Sequence, residues 1–481
     1  MNKEITRKHV LTSFVWKFME HGGTQIIQFF VQIVLARLLL PEQYGLIALV
    51  MILITIANVF IQNGFNTALV QKKEVDNLDY SSVFCVSFVV AILCYILMFV
   101  SAPFIAEFYN EMKLVNIIRV LSLTMIFGSV YSIQIAYINR NMLFRRLFFV
   151  SLTGIILSGI AGITTAYMGF GVWALVIQQF VSRIVSVIFL LFAIEWKPRF
   201  NYSHKRVIEL FSYGWKLLVS ALLNQIYHEL RTLIIGKVYS TSMLGYYTRG
   251  TQFPTFIVLN IDGSVQAVML PTLSANQDDL VKIKRMVKRT ITMSAFIIFP
   301  TLVGLAVVAD PLVKILLTEK WLGSVPFLQI ACGVYLLIPL QNMNLQVIKA
   351  LGRSDIFLKL EIIKKVIGLG LMIASIPFGI YALAFSAVIV SVISNYINAH
   401  PNEELIEYGF LKQWKDIFPT FVLAIIMGII AYSFHNLDVS PVLLILIQIT
   451  SGVSTYFGLA FLIKHESLVY IIDNIRRRKN D

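Results

Sequence analysis

Apolar runs of about twenty residues, separated by short polar connections, recur along the whole 481-residue chain. A helix of that length spans a hydrocarbon core about 30 Å thick. The pattern therefore predicts an all-α, polytopic membrane protein with about fourteen transmembrane helices. The spans fall at 12–38, 44–70, 81–102, 114–138, 148–168, 171–194, 211–236, 246–274, 290–309, 324–348, 357–376, 379–399, 417–434 and 441–463. Asn260 and Asp262 dilute the eighth more than any other.

The second half of the chain repeats the first. Ala102-Pro103, Glu111, Arg145 and Phe170-Gly171-Val172-Trp173-Ala174-Leu175 return 208 residues later, as Asp310-Pro311, Glu319, Arg353 and Phe378-Gly379-Ile380-Tyr381-Ala382-Leu383 (311 − 103 = 379 − 171 = 208). Earlier pairs, Trp16-Lys17 with Trp215-Lys216 and Asn63-Gly64 with Asp262-Gly263, sit 199 apart, which places about nine extra residues in the polar stretch 277–289. Six spans per repeat is an even number, so both repeats enter the membrane in the same direction, related by a pseudo-twofold axis along its normal. Two parallel six-helix lobes in a V, facing a central cavity, are expected at 1–200 and 201–400. Residues 401–481 add a polar connector (402–416), a helix pair without a repeat partner and a basic tail. Repeats of this kind are a recurrent sign of alternating-access transporters.

Composition supports the membrane reading: 58% of residues are hydrophobic, 14% are charged and the mean hydropathy is +0.78, against about 25% charged in an ordinary soluble chain. Lys and Arg fall in alternate connections: Lys72-Lys73, Arg140 with Arg145-Arg146, Lys197 with Arg199 and Lys205-Arg206, the cluster 282–289, Lys349 with Arg353, Lys412 with Lys415, and Arg476-Arg477-Arg478-Lys479. Short loops rich in these residues stay cytoplasmic, so both termini are expected inside. The net charge of +14 then reports topology and attraction to anionic lipid headgroups, and no nucleic-acid partner is expected. The first span holds Lys17 and Glu20 and lacks a small-residue cleavage pattern, so it is expected to be retained as a helix. Cys85, Cys94 and Cys332 fall within spans and form no disulfide or metal framework.

Polar residues at membrane depth mark the candidate chemistry, because charges there are costly and face a cavity or a partner. In the first span Lys17, His21, Thr24, Gln28 and Gln32 recur every three or four residues, with Glu20 and Gln25 alongside. Its repeat partner, the seventh span, carries Lys216, Ser220, Asn224, Tyr227, His228 and Arg231, with Glu229 adjacent. The second span adds Thr55, Asn58, Gln62 and Asn66; the eighth adds Asn260 and Asp262. The simplest alternative for each Asn or Gln is a hydrogen bond to a neighbouring helix. Repetition of the stripe in both halves, with Lys, His, Glu and Arg in it, favours a hydrated wall suited to an anionic cargo. Lys17 and Lys216 either snorkel to headgroups or touch that cargo. Arg183 and Arg231 lie deeper, and Arg suits phosphate. The candidate binding set is Lys17, His21, Gln28, Asn58, Gln62, Lys216, Asn224 and Arg231. Glu20, Glu229 and Asp262 either neutralise these cations or exchange a proton or sodium ion, with His21 and His228 able to titrate alongside. Glu361 with Lys364 and Lys365 reads as a helix-surface pair. No phosphate-cradling loop, metal-ligand spacing or catalytic constellation appears in the sequence, so neither an enzyme nor a bound cofactor is expected.

The run Leu38-Leu39-Leu40-Pro41-Glu42-Gln43-Tyr44-Gly45, then Gly64-Phe65-Asn66-Thr67-Ala68-Leu69-Val70-Gln71-Lys72-Lys73, resembles Wzx-type polysaccharide flippases, especially the colanic-acid and teichuronic-acid branch. Phe144-Arg145-Arg146, Gly169-Phe170-Gly171-Val172-Trp173-Ala174-Leu175, Leu244-Gly245-Tyr246-Tyr247, Pro300 with Gly304-Leu305-Ala306, Lys320-Trp321 and Leu351-Gly352-Arg353 continue the resemblance in family order. It implies the multidrug/oligosaccharidyl-lipid/polysaccharide exporter superfamily. The expected activity is movement of undecaprenyl-diphosphate-linked oligosaccharide repeat units across the bacterial cytoplasmic membrane. Lys17, Lys216 and Arg231 are the nearest matches to the basic residues that hold the lipid diphosphate. The resemblance also implies coupling to an H+ or Na+ gradient, a groove at the C-terminal helix pair for the polyprenyl tail, action as a monomer, and work alongside polysaccharide polymerase and chain-length machinery. Two rivals stand beside this reading: a drug/cation antiporter of the same superfamily, with Glu20 as the cation-binding acid, and a polysaccharide polymerase or ligase, which would need a large outward loop.

Overall fold

A computed structural model describes residue 12, residues 15–62, 69, 72 and 74–480. Asn63, Gly64 and Asn66 lie outside the described residues, as does the run 64–73 apart from Leu69 and Lys72. The described chain is helical, 87% of it, without strands. A π-helical turn, Met19–Gly23, leads into α1 (Thr24–Leu38), followed by α2 (Pro41–Gln62), α3 (Asn77–Tyr109), α4 (Leu114–Ser122), α5 (Thr124–Asn141), α6 (Phe144–Tyr167), α7 (Val172–Ala193), α8 (His204–Val238) and α9 (Thr241–Ser274). Then come α10 (Leu280–Val307), α11 (Ala309–Leu316), α12 (Val325–Leu336), α13 (Ile338–Ala350), α14 (Ser354–Ser375), α15 (Ile380–Ala399), α16 (Pro401–Ile406), α17 (Phe410–Tyr432), α18 (Pro441–Leu462) and α19 (Glu466–Asn480).

Eleven helical segments among the described residues are long and apolar enough to cross a bilayer, against the fourteen expected. The three expected spans outside that set are α1, α8 and α14. Only fifteen residues of the first span follow the π turn as α-helix, while α8 is diluted by polar residues and α14 carries Lys359, Glu361, Lys364 and Lys365. Two expected spans are broken, the fourth at Leu123 and the tenth at Leu337, between α12 and α13. The connector expected at 402–416 is the short helix α16 plus the first turns of α17.

Turn chemistry explains why the repeat is visible in sequence. Gly171 and Gly379, 208 residues apart, both take positive φ, +57° and +94°, immediately before α7 and α15. Side chains with a Cβ rarely adopt that conformation, so glycine recurs where the helical register is reset.

The chain packs as two units, Met1–Gly245 and Tyr246–Asp481. In the first, small residues bring helices close: a Cβ on Gly159 of α6 would sit 2.9 Å from Val31 of α1, and one on Gly162 would sit 2.9 Å from the Gln178 Cβ of α7. Gly45 is tighter, since a Cβ there would stand 1.8 Å from the Thr241 carbonyl oxygen. The segment between α7 and α8 lies along α3. Trp196, buried to 3% exposure, packs on Tyr80 and Phe84; Phe200 packs on Phe84 and Phe88; the Ser203 N–H donates to Ser82 Oγ. Asp79 fastens this layer. Its buried carboxylate accepts from Lys72 Nζ at 3.0 Å, from Arg206 Nη1 at 2.9 Å and from the Asp76 N–H at 3.1 Å, the last completing a capping box at the start of α3.

In the second unit, α17 and α18 pack on α10 around Phe296, Phe299, Ile417, Met427 and Tyr456, with the Tyr456 hydroxyl donating to the Phe296 carbonyl. A buried amide cluster joins α13 to α17: Asn344 and Gln413 exchange hydrogen bonds of 2.9 and 2.7 Å, and Asn402 donates to Asn344. The helix pair without a repeat partner is thus integral to this unit's core.

Candidate functional site

Helix α8 has two open faces of opposite chemistry. Its buried residues cluster near the ends, at Leu210, Gly214, Ile235 and Gly236, leaving the middle turns uncovered within its own unit. One open face is apolar, with Trp215, Val219 and Ile226 exposed. The other carries Lys216, Ser220, Asn224 and His228, all exposed, and Tyr227 and Arg231, half-buried. A helix in a bilayer that exposes both a greasy and a cationic polar stripe sets the first against lipid and the second against water or cargo. Glu229 accepts from Gln225 Nε2 at 2.9 Å, one turn back.

The matching stripe at the start of the chain is less regular than its spacing suggests. The π turn at Met19–Gly23 inserts an extra residue into the helical register, so residues before and after it do not share one uninterrupted face. Before the turn, Lys17 Nζ lies 2.9 Å from Glu20 Oε2 and 5.4 Å from the Phe144 ring centre. Within and after it, only the backbone of His21 is described, the Thr24 hydroxyl donates to the Glu20 carbonyl, and Gln28 is half-buried. Gln32, expected on the hydrated wall, instead donates to Gln178 Oε1 at 3.3 Å with both side chains buried. The close packing of α1 on α6 takes that end of the stripe out of water. In α2, Gln62 Nε2 donates to Asn58 Oδ1 at 3.4 Å, and the Thr55 hydroxyl donates to the Met51 carbonyl.

Arg183 of α7 stands over the Tyr131 ring, 4.8 Å from its centre, and makes no ion pair among the described residues. The Tyr131 hydroxyl lies within electrostatic reach of both Arg183 and Glu20. The first unit therefore brings most of the candidate set into one bundle: Lys17, Glu20, Gln28, Asn58 and Gln62 with Lys216, Asn224, Glu229 and Arg231.

Asp262 belongs to the second unit. Only 3% exposed, it accepts from Gln266 Nε2 and Asn342 Nδ2, both at 2.6 Å, and Gln346 Nε2 donates to Gln266 Oε1 at 2.7 Å. A carboxylate accepts only, so it fixes the orientation of each amide in the chain. No Lys or Arg pairs with Asp262 among the described residues. The sequence reading missed Gln266, Asn342 and Gln346. Their signal was two polar pairs at i,i+4 spacing, 262/266 and 342/346, among several other polar residues on α9 and α13. Glu361 and Lys364 do pair, as their spacing suggested.

Residues 34–326 match the family profile described as polysaccharide biosynthesis protein. The chain belongs to that family. The teichuronic acid biosynthesis protein TuaB of Bacillus subtilis is 25% identical to this chain over 410 residues, 84% of this chain and 85% of that one. The succinoglycan biosynthesis transport protein ExoT of Rhizobium meliloti is 24% identical, covering 68% and 66%, and the lipopolysaccharide biosynthesis protein WzxC of Escherichia coli is 23% identical, covering 69% and 68%. Among solved structures, the lipid II flippase MurJ in an inward closed conformation superposes with a TM-score of 0.71 at 16% identity, over 93% of this chain and 98% of that one. An inward-facing multidrug resistance MATE family transporter of the MOP superfamily gives 0.60 at 15%, over 82% and 95%. The family member described here thus has the fold of these transporters and is a multi-pass membrane protein.

Proposed function

We propose that the protein is a flippase, and not an enzyme, that moves undecaprenyl-diphosphate-linked oligosaccharide repeat units across the bacterial cytoplasmic membrane for surface polysaccharide assembly, by alternating access. Its family and the names of its relatives support the class of activity. The observation that carries the cargo's chemistry is the cationic polar face of α8, with Lys216 and Arg231 on a helix that elsewhere exposes apolar side chains. A diphosphate is dianionic and matches cations placed where they are only partly hydrated. An organic cation would be repelled there, which disfavours the drug-antiporter reading, and the described connections include no large outward loop of the kind a polymerase or ligase needs.

Orientation with both termini in the cytoplasm follows from the Lys- and Arg-rich alternate connections. Asp262 is the best-placed acid for coupling to H+ or Na+, because it is buried and satisfied by amides from two helices and not by a cation; Glu229 has one amide from its own helix, and Lys17 already neutralises Glu20.

Export of polysaccharide to the surface of a flippase-null strain, at matched protein levels, tests the assignment. Arg231→Ala should lower export by about tenfold or more, the equivalent of one charge-assisted contact of about 1.5–3 kcal/mol, with partial recovery in Arg231→Lys. Arg353→Ala, which removes only an exposed pair with Asp355, should export like the parent. Full export by Arg231→Ala removes α8 from the cargo path.

A further inference from the structure

Two sequence runs that the translocation chemistry leaves unused, Leu40-Pro41-Glu42-Gln43 and Gly169-Phe170-Gly171-Val172-Trp173, lie about 130 residues apart and meet in one pocket of the first unit. The start of α4 closes its third side, and the volume is about 470 Å³, within the usual range for a small-molecule site, about 300–1,000 Å³. Leu46 and Ile117, each 1% exposed, form an apolar floor. Around it stand Glu42, Gln43, Lys113 and Asn116 together with the rings of Phe170 and Trp173.

The local geometry sets what this pocket can hold. The Leu40 N–H holds Gln43 Oε1 at 3.0 Å, which leaves the amide nitrogen as the group turned toward the α6–α7 connection. There Gly171, at φ +57°, lets the backbone approach: a Cβ at that position would lie 2.8 Å from Gln43 Nε2. Lys113 Nζ and Glu42 Oε1 pair at 3.1 Å with both side chains substantially exposed, 67% and 40%. The pair therefore offers a donor and an acceptor with no net charge, and hydration makes its own attraction weak. Asn116, exposed, adds a further donor and acceptor. Phe170 is 55% exposed and Trp173 half-buried, so aromatic surface stays available beside the polar groups.

We propose that this pocket binds one sugar ring of the exported glycan. A pyranose presents hydroxyls that both donate and accept around its rim, and a C–H face that packs on an aromatic ring. Paired and amide side chains around an aromatic platform match that distribution; a bare anion or an apolar tail does not. The three connections that build the pocket are poor in Lys and Arg, so in the orientation proposed above it opens on the outer side. It would receive the glycan after crossing and is separate from the polar faces of α1 and α8. This assignment rests on the flippase reading for the source of the sugar, while its binding chemistry stands on the pocket alone.

Saturation-transfer NMR on the full chain in nanodiscs tests it. The probes are glucose, galactose, N-acetylglucosamine, fucose and glucuronate, each at about 10 mM, where a millimolar Kd still fills a site. At least one sugar should receive saturation from the parent. Transfer should drop about fivefold or more, the scale of a central contact, in Trp173→Ala and Asn116→Ala, and persist in Arg353→Ala, which removes only an exposed pair. Asn116 is exposed, so its variant separates lost binding from lost folding, and Trp173→Phe, which keeps the platform, should retain most of the signal. Absence of transfer for every sugar, or transfer equal in the parent and both pocket variants, overturns the proposal. The export assay separates this from the broader reading: export without sugar binding removes the pocket alone, and sugar binding without export removes the flippase assignment.

Discussion

Neutralising Asp79 should loosen the segment that links α7 to α8. The Asp79 carboxylate is 1% exposed and accepts from Lys72 and Arg206 at 3.0 and 2.9 Å. A charge-assisted hydrogen bond is worth about 1.5–3 kcal/mol where desolvated. The cations here are 21% and 32% exposed, and each keeps a second carboxylate, Glu209 for Lys72 and Asp76 for Arg206, so the net loss in Asp79→Asn is set at about 2 kcal/mol. Cys85 reports the result, because its Sγ lies 4.0 Å from the carbonyl oxygens of Arg199 and Asn201, under the linking segment. In a background with Cys94→Ala and Cys332→Ala, reaction of Cys85 with a membrane-impermeant maleimide that requires the segment to lift should accelerate about thirtyfold, since 1.36 kcal/mol is a factor of ten. Arg206→Gln should produce part of the same effect, and the double variant should fall short of the product of the two, as coupled partners do. An unchanged labelling rate in folded Asp79→Asn protein would refute the account, because Trp196 and Phe200 would then hold the segment unaided.

Gly45→Ala must move its Cβ from 1.8 Å to an ordinary carbon–oxygen separation of about 3.3 Å from the Thr241 carbonyl. Such overpacking typically costs about 1–3 kcal/mol, and a Tm in detergent equal to the parent's would contradict that contact. His465 gives a pH signature: the Ser467 N–H donates to its Nδ1, so Nε2–H donates to Thr420 Oγ1 at 3.0 Å, and burial against Phe296 pushes the imidazole below its usual value of 6.5. The unfolded chain takes up a proton on falling through pH 6.5 while the folded one resists, so stability from this group is complete above that value and declines as pH falls toward the folded pKa. The drop in Tm from pH 7.5 to 5.5 should be larger in the parent than in His465→Gln, and equal drops would exclude the histidine. Asp262→Asn in reconstituted vesicles should lose dependence of transport on an imposed H+ or Na+ gradient while Glu20→Gln keeps it; retained dependence in Asp262→Asn would make that carboxylate structural.

What the sequence determined by itself was whatever depends on local pattern. Apolar runs, their polar punctuation and the 208-residue repeat specify a helical membrane protein, because backbone groups in hydrocarbon must be satisfied within each segment. The repeat was legible because turn geometry repeats with it, as Gly171 and Gly379 show. The cationic face of α8 was legible too, since regular helical spacing carries residues 216 to 231 onto one side. Tertiary structure decided everything that depends on which face of a helix is covered. Gln28 and Gln32 are alike in spacing, yet Gln32 meets Gln178 in a buried contact because α1 packs closely on α6. The π turn at Met19–Gly23 re-phases a stripe that assumed unbroken helix, and a local exchange of i→i+4 for i→i+5 bonds leaves no clear trace in residue spacing. Asp262 read as one acid among three until α13 brought Asn342 and Gln346 to its network from 80 residues away. The pocket that joins Glu42 to Trp173 was likewise invisible in one dimension, because each run looks like an ordinary helix start and only packing sets the two side by side.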